Sequence, residues 1–223
     1  MPPVVDLEGR RLYLCVPDRP DLESFVDACI SGGVDLVQLR EKHLDDRTLI
    51  ARASVVRAVC NDAAVPFVLN DRPDLALAVG ADGVHVGQED VPPSVARRIL
   101  GDEAIVGLST HAPADLVGSL DEPVTYVSAG PVAPTPTKPG RPGVGLGYVR
   151  YAVEHAGRPV WVTGGASPST VAGIVAAGAR HVVVVRWLTE ASDPLGAARQ
   201  LRRALDNAID EAEAGEAADP SPG

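Results

Sequence analysis

The sequence predicts a single α/β domain folded as a (β/α)8 TIM barrel. Three observations carry that reading. Eight short β-branched runs alternate with Ala-rich helical stretches. Several of the runs are continuously apolar, as strands of a parallel sheet covered on both faces must be. No GxGxxG follows the first strand, which weighs against the runner-up, an open doubly wound sheet.

The strands fall at Arg11–Val16, Val34–Leu39, Pro66–Asn70, Gly83–Val86, Ile105–Leu108, Val124–Ser128, Val160–Thr163 and His181–Val185. Helices fit between and after them at Leu22–Ser31, Asp46–Asn61, Asp74–Val79, Pro93–Leu100, Pro113–Ser119, Tyr148–His155, Pro168–Ala177 and Pro194–Asn207. Pro168 and Pro194 stand where a helix begins, with Ser167 and Asp193 as N-cap candidates. The barrel is expected over residues 1–207. Residues 208–223 are acidic, poor in aromatics and end in Pro and Gly. They are expected to extend the last helix briefly and then to be disordered.

The chain has 223 residues, and 45% of them are apolar. That is enough for a sizeable core. Aromatics make up only 4%, so Val, Ala and Leu must fill it. A formal net charge of −10 and a pI near 4.9 argue against nucleic acid or anionic membrane as partners. A basic pocket in such a chain is therefore informative. The opening MPPVVDLEGR lacks the apolar segment of a signal peptide, and no apolar run is long enough to span a bilayer. Cys15, Cys29 and Cys60 fall in no metal-binding spacing and read as reduced core thiols, which points to the cytoplasm. Small-molecule substrates are the expected partners; monomer and homo-oligomer both stay open.

In a parallel barrel the working residues lie at the C-terminal ends of the strands. The second strand runs Gln38-Leu39-Arg40-Glu41-Lys42, and strand periodicity puts Gln38, Arg40 and Lys42 on one side. Like charges so placed suit an anion; the plain alternative is an ion pair with Glu41 or Asp71. Asp71 follows the third strand beside Asn70, and Asp90 follows the fourth. Two carboxylates beside a cationic cluster suit Mg²⁺ on a pyrophosphate, whose oxygens and water complete the octahedron. The alternative is that each aspartate caps the helix after it.

Ser109, after the fifth strand, can donate to a phosphate oxygen. His111 is an acid, a base or a partner of a helix start, and His85, inside a strand, reads as a satisfied core residue. Gly130–Lys138, GPVAPTPTK, holds three prolines in nine residues, which excludes helix and central strand. A stiff loop carrying Thr135, Thr137 and Lys138 suits a phosphorylated ligand; the alternative is a solvated proline-rich turn. Gly164 and Gly165, after the seventh strand, let backbone N–H groups approach a phosphate, or simply form a tight turn.

QLREK (Gln38–Lys42), ND (Asn70-Asp71), DGVHVGQED (Asp82–Asp90), STH (Ser109–His111), GPVAPTPTK and TGG (Thr163–Gly165) together resemble the thiamine phosphate synthase family, in that family's order. The resemblance spans roughly Arg11 to Leu205. It implies a Mg²⁺-assisted, dissociative substitution. Hydroxymethylpyrimidine diphosphate is joined to 4-methyl-5-(2-phosphooxyethyl)thiazole, or its carboxylated form, giving thiamine phosphate and pyrophosphate.

It further implies that Arg40, Lys42, Ser109 and Lys138 hold the diphosphate and that Gln38 and Asn70 orient the pyrimidine. Asp71 and Asp90 would bind Mg²⁺. Thr135, Thr137, Gly165 and the backbone near Val185 would meet the thiazole phosphate. The chain departs from the family pattern at Arg186, where Ser is usual, and at Ala133 and Ala166, where larger apolar residues are usual. Arg186 is expected to clasp the thiazole phosphate; the alternative is an outward pair with Glu190. A related thiazole tautomerase, using His111, and a non-catalytic sensor of a thiamine precursor are the competing readings. A more general phosphate-handling barrel enzyme stands third.

Overall fold

The computed structural model describes residues 6–134 and 142–218. Eight strands close into a parallel barrel in chain order: β1 Leu12–Val16, β2 Leu36–Leu39, β3 Phe67–Asn70, β4 Gly83–Val86, β5 Ile105–Thr110, β6 Tyr126–Ala129, β7 Val160–Val162 and β8 His181–Val184. Between them run α1 Leu22–Ser31, α2 Asp46–Asp62, α3 Pro73–Val79, α4 Pro93–Leu100, α5 Pro113–Ser119, α6 Gly145–His155 and α7 Val171–Ala176. The short α8, Arg186–Thr189, and the long α9, Pro194–Ala218, follow β8.

Strand periodicity divides the interior into two cores. Outward residues such as Leu14, Val37, Leu69, Val84, Val106 and Val182 pack under the helices. Inward residues Tyr13, Leu36, Val68, Ile105, Tyr126, Trp161 and Val183 fill the barrel itself. Near its C-terminal mouth this inner layer turns polar: Gln38, Asn70, His85, Ser109 and Ser128 are all buried. Buried polar groups need partners or a ligand, so the mouth is where function is to be sought.

At the opposite end Asp35 fastens the first turn of the barrel. Its carboxylate accepts the Arg11 and Leu12 N–H groups at 2.8 and 2.9 Å and pairs with Arg202 of α9 at 2.8 Å. Burial nevertheless pushes its pKa up, against the pull of those amides and of Arg202.

Three expectations are revised. β5 continues to Thr110, because Ser109 and Thr110 pair with Ser128 and Ala129 of β6. Ser109 therefore sits on a strand. The helix expected from Pro168 starts only at Val171, because Ser167–Thr170 is tied into a turn: the Thr170 hydroxyl accepts the Ser167 N–H at 2.9 Å and donates to the Gly165 carbonyl at 2.7 Å. Asp193 does serve α9, accepting the Gly196 N–H at 3.0 Å. The last helix runs on to Ala218, well past Asn207, with Ile209 buried and Ala212 partly buried against the outer core. The one-turn α8 was not anticipated.

Candidate active site

A cavity of about 340 Å³ opens at the barrel mouth, lined by residues from β1 through β6 and from β8. Gln38, Arg40 and Lys42 all face it, as the two-residue period of β2 requires. Extended geometry persists beyond the strand, since the Arg40 N–H bonds the Val16 carbonyl at 2.8 Å.

The two readings of the cluster differ in the partners they give these cations. Lys42 pairs with Asp71 at 2.8 Å. The Glu41 carboxylate is turned to the backbone, accepting the Lys42 and His43 N–H groups at 2.8 and 3.1 Å. Arg40, partly buried, has no carboxylate partner among the described residues. A guanidinium in a cavity mouth offers a planar fork of donors suited to an anion.

Neither aspartate caps a helix. Arg72 and Pro92 occupy the N-cap positions of α3 and α4, and neither helix receives a side-chain cap. Asp71 instead adopts a left-handed backbone, φ 61°, a conformation that needs the surrounding structure to hold it. Its N–H donates to the His85 carbonyl at 2.8 Å, and the next residue, Arg72, grips Asp46 of α2 and Asp74 of α3. Asp90 accepts the Gly87 N–H at 2.8 Å. Both carboxylates line the cavity, near enough for Asp90 to act on Asp71. Burial first, and then Asp90, push the Asp71 pKa up, while Lys42 pulls it down. Among the described residues no cluster of three or more His, Cys, Asp or Glu side chains is arranged to hold a metal. A pair of hard carboxylates fits Mg²⁺, which takes one or two from protein and the rest from water and phosphate.

Asn70 contributes the clearest orphan. It is 5% exposed, lines the cavity, and its amide nitrogen has no hydrogen-bond partner among the described residues. An unpaired buried donor costs about 1–3 kcal/mol, so its partner is expected to arrive with the ligand. Ser109 and His85, joined at 2.9 Å, complete the floor. His111 also lines this cavity; its Nδ1 bonds the Gly130 carbonyl and its N–H bonds Asp115 at 2.8 Å.

A second cavity of about 750 Å³ lies beside the first, at the ends of β7 and β8, and shares Thr163, Val183 and Val185 with it. Gly164 and Gly165, at φ 96° and 86°, line it with Ala166. A Cβ on Gly164 would lie 2.5 Å from the Pro131 side chain, so that position admits only glycine. Arg186 also lines the second cavity, half exposed and 4.0 Å from Glu190, one turn on. That separation is at the outer limit of an ion pair. Thr135, Thr137 and Lys138 lie outside the described residues.

The site brings together Gln38, Arg40, Lys42, Asn70, Asp71, Asp90 and Ser109 in one cavity, with Gly165 and Arg186 in the next and Val185 between. Sequence reasoning missed the buried tyrosines: Tyr13 also lines the first cavity, and Tyr126 sits beneath it. Their inward parity on β1 and β6 was the available signal.

A barrel with cations and a pair of carboxylates at its mouth suits an enzyme that handles a phosphorylated small molecule. Comparison with known proteins narrows the class. The model of the family described as "Thiamine monophosphate synthase" matches residues 12–188. The thiamine-phosphate synthase of Thermobifida fusca is 49% identical over 205 residues, 89% of this chain and 94% of that protein. That of Thermus thermophilus is 48% identical over 201 residues, 87% and 97% of the two chains. The solved thiamine phosphate pyrophosphorylase of Pyrococcus furiosus superposes with a TM-score of 0.81 at 29% identity, covering 89% of this chain and 96% of that one. The chain belongs to the thiamine monophosphate synthase family.

Proposed function

We infer that this chain is a thiamine-phosphate synthase whose two adjoining cavities divide the reaction between them. It is a transferase that joins a hydroxymethylpyrimidine diphosphate to a thiazole phosphate and releases pyrophosphate. The observation that carries the division is the Asp71–Asp90 pair: two neighbouring carboxylates, neither capping a helix, beside Lys42 and an Arg40 that has no carboxylate partner among the described residues.

The main task is to stabilise a leaving trianion, which calls for preorganised charge and donors more than for a base. Arg40 meets that need with its fork of N–H donors, Lys42 with an ammonium that can shift from Asp71 towards the incoming diphosphate, and Ser109 with a hydroxyl at the floor. Asp71 and Asp90 would hold Mg²⁺, whose charge would neutralise the departing diphosphate. Gln38 and the orphaned Asn70 amide offer complementary groups to an aminopyrimidine ring. A thiazole held in the adjoining cavity would bring its ring nitrogen up to the electron-poor methylene left as pyrophosphate departs, so proximity makes it the nucleophile at hand.

The second cavity suits the thiazole phosphate. Gly164 and Gly165 let backbone N–H groups come close to phosphate oxygens, and Arg186 needs to give up only a weak contact with Glu190 to join them. Lys138 is assigned to the diphosphate and Thr135 and Thr137 to the thiazole phosphate on the family pattern. The reduced thiols and the lack of a membrane-crossing helix among the described residues support a cytoplasmic location.

Calorimetry tests the division. The pyrimidine diphosphate should bind only when Mg²⁺ is present, and the thiazole phosphate should bind equally well with Mg²⁺ or with EDTA. Equal metal dependence for both ligands would overturn it.

A further inference from the structure

We propose that Tyr126 is a positioning residue: through a one-way chain of hydrogen bonds it holds His85 with its proton on Nε2, and so turns the Ser109 hydroxyl proton into the anion-binding cavity. The proposal rests on the reading that Ser109 donates to the diphosphate.

Six buried groups form one continuous line across the barrel. The Cys15 thiol donates to Gln38 Oε1 at 3.4 Å, and Gln38 Nε2 donates to the Tyr13 oxygen at 2.5 Å. The Tyr13 and Tyr126 hydroxyls are 2.9 Å apart, Tyr126 reaches His85 Nδ1 at 2.8 Å, and His85 Nε2 reaches Ser109 Oγ at 2.9 Å. Each phenol has one proton to give. Because Tyr13 accepts from Gln38, its proton goes to Tyr126. Tyr126 then spends its own proton on His85 Nδ1. The imidazole proton must be on Nε2, where it is donated to Ser109. With its oxygen already accepting, the Ser109 hydroxyl has its proton left for the cavity.

The opposite polarity is chemically poorer at both ends. It would aim the Gln38 amide N–H at a thiol sulfur, a weak acceptor, and would spend the Ser109 proton on His85. Burial pushes the pKa of both phenols upward, which keeps them protonated as the chain requires.

Gly107 makes room for the line. A Cβ there would overlap the Tyr126 phenol and lie 2.6 Å from His85 Nδ1. The phenol is also gripped edge-on by Tyr13 and Trp161, at centroid distances of 6.0 and 6.3 Å, and is stacked on His85 at 5.5 Å. Its hydroxyl is therefore aimed by packing as well as by hydrogen bonds.

The test reads the tautomer of His85 by long-range ¹H–¹⁵N NMR, with the signal assigned from a His85→Gln spectrum. The holoprotein should show protonated Nε2 and bare Nδ1. Tyr126→Phe should move the proton towards Nδ1. It should also lower kcat about tenfold or more, the scale of a lost hydrogen bond to a charged group, with KM for the thiazole phosphate within about twofold of wild type. Tyr13→Phe removes an equally buried hydroxyl but leaves Tyr126 donating to His85. It should keep the tautomer and cost less in kcat. A wild-type His85 protonated on Nδ1 overturns the polarity without any variant having to fold. Equal kcat losses in the two variants with no tautomer change would reduce Tyr126 to a packing role. Near-normal turnover by Ser109→Ala would remove the reading of Ser109 itself, while the wild-type tautomer would still report on the chain.

Discussion

Replacing Asp90 by Asn separates its two available roles. Asn keeps an oxygen for the Gly87 N–H and gains an amide that can donate to Asp71, so the turn should hold. What is lost is one unit of negative charge. The local charge of Asp71, Asp90 and Lys42 rises from −1 to zero. Taking a unit charge about 5 Å from a dication, with an effective dielectric near 20, the lost attraction is about 6–7 kcal/mol. Water enters the vacated position and the cavity is open to solvent, so roughly half should survive, about 3 kcal/mol, or on the order of a hundredfold in affinity. The assay is a Mg²⁺ titration of turnover. The half-saturating Mg²⁺ concentration should rise about a hundredfold, while thermal unfolding stays at or slightly above wild type, because two crowded carboxylates have become one. A folded D90N enzyme with unaltered Mg²⁺ dependence would show that Asp90 only closes the turn at Gly87.

Arg40→Ala and Lys138→Ala should each lower kcat by about 30- to 1,000-fold, the loss of about 2–4 kcal/mol of preorganised charge, and steady-state rates at saturating Mg²⁺ check this. Arg202→Ala should destabilise the fold by about 2 kcal/mol, read from the urea midpoint, because it strips the cation from Asp35 while that carboxylate stays tied to Arg11 and Leu12; a shift below about 0.5 kcal/mol would deny the latch its role. His181 gives the pH dependence. Burial first, then Arg11 and Arg180, lower its pKa below the ordinary 6.5, against a bond from Nδ1 to the Arg10 carbonyl. The unfolded chain therefore binds the extra proton first. Stability should be level above about pH 6.5 and fall as pH drops towards the folded-state pKa. His181→Asn, which can still donate to Arg10, should flatten that slope between pH 7 and 5.5; an unchanged slope would place the effect elsewhere.

The barrel was legible because both of its cores are written locally. Each strand is a short apolar run whose alternate residues serve different layers, and Pro at the starts of α3, α4 and α5 marks three of the helix entries. The polar cluster on β2 was legible for the same reason, since period two is all that Gln38, Arg40 and Lys42 need. Caps were less so: Ser167 looks like an N-cap, but Thr170 takes its N–H and delays the helix. The left-handed turn at Asp71 is tied to the neighbouring strand through the His85 carbonyl, which no local pattern records. Least visible was the line from Cys15 to Ser109. It joins residues from five strands, and its members stand side by side only once the barrel has closed.

The most direct test supplies purified protein with hydroxymethylpyrimidine diphosphate and thiazole phosphate, with Mg²⁺ or with EDTA, and measures thiamine phosphate and pyrophosphate together. The account predicts equal amounts of both products with Mg²⁺ and neither with EDTA. Folded protein that still binds the thiazole phosphate yet makes no thiamine phosphate with Mg²⁺ present would contradict it, and would turn attention to His111 as the acid–base group of an isomerase.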